Sequence, residues 1–409
     1  MLRGLAARPE TRVVGTMILQ SGTAMLLALL SARWLGPADR GIVVIVTFLG
    51  SILMLVGSLG TATGARVLVG REDGTRLTPR RVLRSTRPLL LAHVGTATVA
   101  GSLTLWLVDG HVDWGVCALF AVYACSMLWA YLRRELLHGL GRHREAVRGE
   151  VCSVIIQLGL VAAAHLAGHL NVYVAVAAMA VGILAQVAYQ TPYLFPGELD
   201  AAEHERGDLR SLVGFSVPAL ATTVGQEYTL RADRLFLGVA IGSASAGVYG
   251  SAASLAETLT LLAAGASQIL FRQAARGLTL GHLLKCHAVV GCATALGAAA
   301  LWITGPTLID ITLGEEYHSA VGPLRILAIG AIPFAVYQLN VAVINGAGNL
   351  GRAARLAGAG ALTLTVACFV LIPLVGANGA AWASVMSYSV LAVGSFAALP
   401  SLQHKPIRP

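Results

Sequence analysis

The chain has 409 residues, 56% hydrophobic and 12% charged, with a formal net charge of +9. Soluble domains carry roughly 25% charged residues, and here apolar runs of about 20 residues, each enough to cross a hydrocarbon core of roughly 30 Å, recur along the whole length. These figures exclude a water-soluble domain, and the positive charge follows the loops between spans, so it does not indicate a nucleic-acid partner.

Stretches such as MILQSGTAMLLALLSARWLG do not alternate in polarity as a membrane β-strand does, so the spans read as helices. Twelve are expected, at 13–35, 41–65, 88–108, 112–132, 150–170, 172–195, 211–241, 247–270, 283–306, 320–344, 356–375 and 379–399. A basic head of Arg3, Arg8 and Arg12 leads into the first helix and reads as a signal anchor. Arg33 and Arg40 flank the first outer loop, and the next loop carries RLTPRRVLRSTR, a topology determinant beside anionic membrane lipid. The loops on one side (1–12, 66–87, 133–149, 196–210, 271–282 with Lys285, 345–355 and 400–409) hold 3, 7, 5, 2, 3, 2 and 2 Lys and Arg, which is 24 of the 29. The positive-inside rule makes those loops and both termini cytoplasmic in a multi-pass protein of the cell membrane.

The six cysteines fall within or at the edge of spans and form no CxxC, so they read as small packing residues. His165 and His169, spaced i,i+4 at an outer boundary without a nearby carboxylate, read as interfacial. Gln157 in helix five, and Gln338 and Asn340 in helix ten, could either glue helices or offer hydrogen bonds to sugar hydroxyls. The GVYG at the start of helix eight suggests a tight turn with Tyr249 at the membrane interface. The longest outer loop, LIDITLGEEYHSA, is too short to display a catalytic centre. No phosphate-cradling Gly-rich loop appears inside, so no catalytic residue, metal ligand or cofactor is assigned.

Sliding the sequence by 206 residues lays the first helix on the seventh, aligning Gly36 with Gly242, Gly41 with Gly247, Gln20 with Gln226 and Arg66 with Arg272. Six helices per copy means both copies enter from the same side, a parallel repeat with lobes at 1–200 and 201–409. The copies differ in charge: Glu227, Arg231, Asp233, Arg234 and Glu257 correspond to Ser21, Met25, Leu27, Ala28 and Ser51.

Helix seven is about 46 Å long at 1.5 Å per residue, with a bend expected at Pro218, and Arg231 lies roughly 15 Å from its outer end. Glu257 reaches a similar depth in helix eight, so Arg231 and Glu257 are expected partners. Glu227, Arg231 and Arg234 share one helical stripe, and Thr222, Gln226, Thr229 and Asp233 form another. Each mid-membrane charge costs roughly 2.5–3.5 kcal/mol, so these groups must face one another or a wet cavity. Two arrangements satisfy that cost. One is a salt-bridge network fixing helices seven and eight; the other is a cavity in which Arg231 and Arg234 attract a pyrophosphate. Gln226, Gln20, Gln338 and Asn340 are further candidates for that cavity, and Asp233, Glu257 and Glu227 are candidates for a coupling ion.

VPALATTVGQEYTLRADRLFLGVAIGSASAGVYGSAASLAETL resembles helices seven and eight of the bacterial polysaccharide transporters, where an Asp precedes "lG" and "vG-Y". ARWLGPADRG is similar to their first loop, and LGEEYHSAVGPLRILAIGAIPFAVYQLNVAVINGAGNLGRAARLAG with PLVGANGAAWASVMSYS to their region from helix ten to twelve. That family belongs to the multidrug/oligosaccharidyl-lipid/polysaccharide exporter superfamily. The resemblance implies a V-shaped, all-α fold of two six-helix lobes, and a flippase for an undecaprenyl-pyrophosphate-linked oligosaccharide. It implies a lipid-linked glycan as passenger, with a polysaccharide polymerase and glycosyltransferases as partners. Asp233 is the charged position that the motif carries over. The chain departs from relatives with up to fourteen spans, and its first lobe lacks the mid-helix cations that lipid II flippases carry. A cation-coupled multidrug antiporter, a lipid II flippase and a membrane scaffold without transport are the alternative readings.

Overall fold

The structure, a computed structural model, describes residues 9–70, 77–195, 209–274 and 278–399, and for 9–21, 209–212, 214–219 and 280 it describes the backbone alone. Every regular element among the described residues is helical. In chain order they are α1 (Pro9–Gly57), α2 (Thr61–Val69), α3 (Pro79–Ser85), α4 (Arg87–Asp109), α5 (Trp114–Gly139), α6 (His143–Leu166) and α7 (Val172–Leu194), then α8 (Leu209–Ile241), α9 (Ser243–Glu257), α10 (Leu261–Ala274), α11 (Leu280–Thr312), α12 (Val321–Gly346) and α13 (Leu350–Ala398). Two elements are double passes, because α1 breaks at Gly36 and α13 at Val375–Gly376. Nine segments among the described residues are long and apolar enough to span a membrane. Splitting the two broken ones and adding α8, set apart by Glu227, Arg231, Asp233 and Arg234, gives twelve passes among the described residues.

Helix breaks occur where the chain can satisfy its own backbone. Gly36 and Gly242 adopt positive φ (74° and 114°) with extended ψ (170° and 167°), a conformation open only to glycine. They are the pair aligned by the repeat, so the two copies turn with the same backbone geometry. Helix two, expected unbroken over 41–65, is interrupted between Gly57 and Thr61, with Leu59 at φ 46°. The Ser58 hydroxyl donates to the Leu55 carbonyl and accepts from the Gly60 N–H, and the Thr61 hydroxyl donates to the Ser58 carbonyl, so hydroxyls replace the lost helical bonds. Helix eight, expected as 247–270, starts at Ser243 and tightens into a 3₁₀ turn at Thr258–Thr260 before continuing as α10. There the Thr258 and Thr260 hydroxyls bond back to the Leu255 and Glu257 carbonyls, a competition that distorts a helix. Helix five, expected to start at 150, starts at His143, and helix nine extends through Pro306 to Thr312.

The chain forms two compact units, one from residues up to Val44 together with those from Gly225 on, the other from Ile45 to Val224. In the second unit α5 packs on α4 and α7, and α7 on α6. One end of that unit carries Arg66–Glu135 (3.4 Å), Arg134–Glu135 (3.0 Å) and Arg134–Glu150 (3.1 Å) ion pairs. In the first unit α12 is the central helix, flanked by α10, α11 and α13. Large apolar side chains such as Leu91, Leu166, Ile303 and Val393 stay exposed while polar groups including Asp233, Asn340 and Ser384 are buried, the pattern of a protein solvated by lipid.

The repeat places its boundary near residue 200, and α1 up to Val44 groups with the helices from Gly225 on. Local contacts account for this. Gly41 lies backbone to backbone against Ser243 and Gly247, and Gly247 against Pro37 and Gly41, with no room for a Cβ at either glycine. Pro37 and Ser243 are themselves 206 residues apart, so the contact is symmetric about the repeat. Tyr317 donates to the Ala32 carbonyl (2.7 Å) and Arg33 to the Ile311 carbonyl (2.5 Å), which add two further ties.

Candidate functional site

Helix α8 places Glu227, Arg231 and Arg234 on one stripe because i, i+4 and i+7 fall on one face at 3.6 residues per turn. Arg231 Nη1 donates to Glu227 Oε1 at 2.5 Å, and Arg231 Nη2 lies 3.9 Å from Glu257 Oε2. Arg234 Nη2 pairs directly with Glu257 Oε1. The order is therefore Glu227–Arg231–Glu257–Arg234, and Glu257's tight partner is Arg234 rather than the expected Arg231. The 3₁₀ turn that follows Glu257 begins just where this carboxylate reaches across from α9.

Asp233 faces the other way and is 1% exposed. Its Oδ2 accepts from the Tyr249 hydroxyl (2.5 Å) and the Ser384 hydroxyl (2.7 Å), and its Oδ1 from the Arg234 backbone N–H (2.8 Å). Three donors can hold a buried carboxylate without a direct ion pair. Tyr249, expected at the membrane interface, is instead fully buried as the main clamp on Asp233. The repeat and the GVYG motif mark its position but not its partner, which becomes visible only once α8, α9 and α13 pack together.

A cavity of about 30 Å³, lined by Asp233, Arg234, Glu257, Thr260, Phe334 and Tyr388 among others, lies beside this cluster. That is room for about one water. Of the two arrangements anticipated for the charges, the salt-bridge network is present, with Arg231 (29%), Glu227 (21%) and Glu257 (30%) keeping side-chain exposure.

The remaining candidates are distributed elsewhere. Asn340 is fully buried and donates to Ser395 (3.0 Å), tying α12 to α13, while Gln338 lies on α12 with a buried, unpartnered Oε1. Neither lines the small cavity. Gln157 donates to Ser153 in the other unit. Gln226 is half-buried on α8. Gln20 and Pro218 lie outside the described side chains. Arg40, placed by sequence in the flank of an outer loop, is buried at 7% exposure and donates to Ser31 (3.1 Å).

No family model matches the sequence, and neither does any curated protein. Solved structures do match. An inward-facing multidrug resistance MATE family transporter of the MOP superfamily is 15% identical, covering 94% of this chain and 95% of its own, with a TM-score of 0.73. The lipid II flippase MurJ in an inward closed conformation is 12% identical over 96% and 87%, with a TM-score of 0.78. A MOP superfamily transporter from Pyrococcus furiosus, described as having a binding pocket of reverse polarity, is 14% identical over 97% and 96%, with a TM-score of 0.62. The fold is that of the MOP superfamily transporters.

Within this MOP fold the charged network belongs to the seventh and eighth passes, and the Asp233 clamp adds Ser384 from the twelfth. The all-α, twelve-pass architecture expected from the sequence is the one found.

Proposed function

We propose that this chain is a flippase that moves an undecaprenyl-pyrophosphate-linked oligosaccharide from the inner to the outer leaflet. The six-helix repeats at 1–200 and 201–409 give alternating access. The head group and pyrophosphate travel between them while the polyprenyl tail stays in lipid. No covalent bond is made or broken. The glycan's synthesis and polymerisation fall to glycosyltransferases and a polymerase outside this chain.

One observation carries the choice of an anionic passenger over a lipophilic cation. Each partly exposed carboxylate of the network, Glu227 and Glu257, already has an arginine within 3.9 Å, and Asp233 is sealed behind three donors. A carrier of organic cations needs a carboxylate free to receive its cargo; here guanidinium groups hold that capacity. Pocket polarity has been read as a mark of function within this fold, as the description of the Pyrococcus furiosus protein states. In this reading Arg231, whose side chain is 29% exposed, exchanges Glu227 for a phosphate oxygen.

The test is leaflet accessibility of labelled undecaprenyl-pyrophosphate oligosaccharide in reconstituted vesicles. Wild-type protein should equilibrate the lipid between leaflets, and Arg231→Ala should slow this roughly tenfold or more, the loss of one charge-assisted contact. Equal rates with and without wild-type protein, alongside proton- or sodium-driven efflux of ethidium, would replace this reading by the antiporter.

A further inference from the structure

His93 is an ionisable group that neither the charged network nor the clamp on Asp233 uses. It lies on α4 in the second unit, 2% exposed, with Nε2 3.2 Å from the Ala124 carbonyl of α5. A carbonyl only accepts, so Nε2 carries the hydrogen and donates it. The buried Nδ1 has no partner and presents a lone pair. A proton there would make a buried cation with one donor unmet, so this conformation holds the neutral imidazole.

The ring rests on the interruption of the second pass. A Cβ on Gly57 would collide with Nδ1, so glycine is what lets the imidazole lie this close. Gly57 is also where α1 ends. Beyond it Leu59 and Gly60 take positive φ (46° and 75°), and the Thr61 N–H donates to the Ser58 carbonyl (2.8 Å) instead of to the Gly57 carbonyl four residues back. The Gly57 carbonyl thus lacks its helical donor, while Nδ1 beside the same residue lacks a hydrogen. Helical carbonyls run along the axis, and His93 lies against the side of the helix. The two can therefore join only if the chain turns at the break.

The elements packed around His93 bring no competing titration near neutrality. Residues 54–61 of α1 carry no ionisable side chain, and α5 beside Ala124 brings Tyr123 and Cys125, which ordinarily titrate above pH 8. Arg80, Arg81 and Arg84 of α3, and Arg87 at the start of α4, stay cationic throughout. His93 is the group among these whose charge changes between pH 5 and 8. We infer that His93 is a proton site of the second unit, and that taking up the proton turns the second pass at its break between Gly57 and Thr61. The imidazolium N–H finds its acceptor in the turned chain, so acid shifts the population away from the conformation that buries the neutral ring. This goes beyond the choice of passenger and does not depend on it.

Hydrogen–deuterium exchange of the full chain in phosphatidylcholine nanodiscs tests this, with each rate corrected for the intrinsic exchange of an unstructured chain at that pH. In the wild type the amides of 57–61 should exchange about tenfold or more faster at pH 5 than at pH 8. Those of 117–128 on α5 should not change. His93→Gln keeps an amide N–H for the Ala124 carbonyl but cannot take a proton, and its corrected rates should be equal at the two pH values. His93→Asn, with the same chemistry at shorter reach, takes its place if His93→Gln does not fold. His169→Gln, which removes an exposed histidine, should keep the wild-type response. A wild-type rate at 57–61 that is independent of pH, exchange that slows in acid, or an undiminished pH response in the His93 variants would each overturn the proton site.

Discussion

Glu257 holds two arginines, Arg234 in direct contact and Arg231 at 3.9 Å, and this makes the network's members unequal. Removing Glu257 strands Arg234, whose side chain is only 9% exposed. Removing Arg234 leaves Glu257 with Arg231 and with 30% of its own side chain exposed. Breaking a buried pair costs about 3–5 kcal/mol when the survivor has no second partner. Glu257→Ala should therefore fall in that range and Arg234→Ala clearly below it, as read by chemical denaturation in detergent. A paired Arg234→Met and Glu257→Met replacement should recover most of the loss, because no charge is then left behind. Equal costs for the two single variants would mean that Arg231 contributes nothing to Glu257. This ordering could not be read from the sequence: helical spacing gave the stripe of Glu227, Arg231 and Arg234, but the choice of Arg234 as tight partner depends on how α9 sits on α8.

At the scale of elements, the two turns that follow the first and seventh passes meet each other. Gly41 and Gly247 oppose the carbonyls of Ser243 and Pro37, so a Cβ at either glycine strikes backbone, which cannot rotate away as a side chain can. Gly41→Ala and Gly247→Ala should each destabilise the protein by about 1–3 kcal/mol, the usual cost of overpacking, and by similar amounts because the contact is symmetric. Gly22, exposed on α1 with open space around it, supplies the control: Gly22→Ala should be neutral or slightly stabilising in the same thermal melts. A large difference between Gly41 and Gly247 would argue against the symmetry. The repeat made the equivalence of Gly36 with Gly242 legible beforehand, since only glycine suits their backbone. The break at Ser58–Gly60 was not legible, because the apolar run continues through it and hydroxyl groups, not proline, make the interruption tolerable.

For the whole molecule, hydropathy and loop charge carried most of the information. Lipid demands that each pass satisfy its own backbone, so length and apolarity reveal helices without appeal to a related sequence. Pairings that depend on three elements at once, such as Tyr249 and Ser384 on Asp233, leave no periodic trace. Orientation rests on charge alone: 24 of 29 Lys and Arg lie on one set of loops, and that set should be cytoplasmic. The described turns at Gly110, Gly168 and Gly314 then lie outside, and those at Gly141 and Gly348 inside. Single cysteines introduced into a cysteine-free background at His111 and His169 should react with a membrane-impermeant maleimide in intact cells. Cysteines at Arg142 and Asn349 should react only after permeabilisation. The opposite pattern would invert the molecule. Labelling at both sets in intact cells would mean that the protein inserts in two orientations, which the size of the Lys and Arg imbalance argues against.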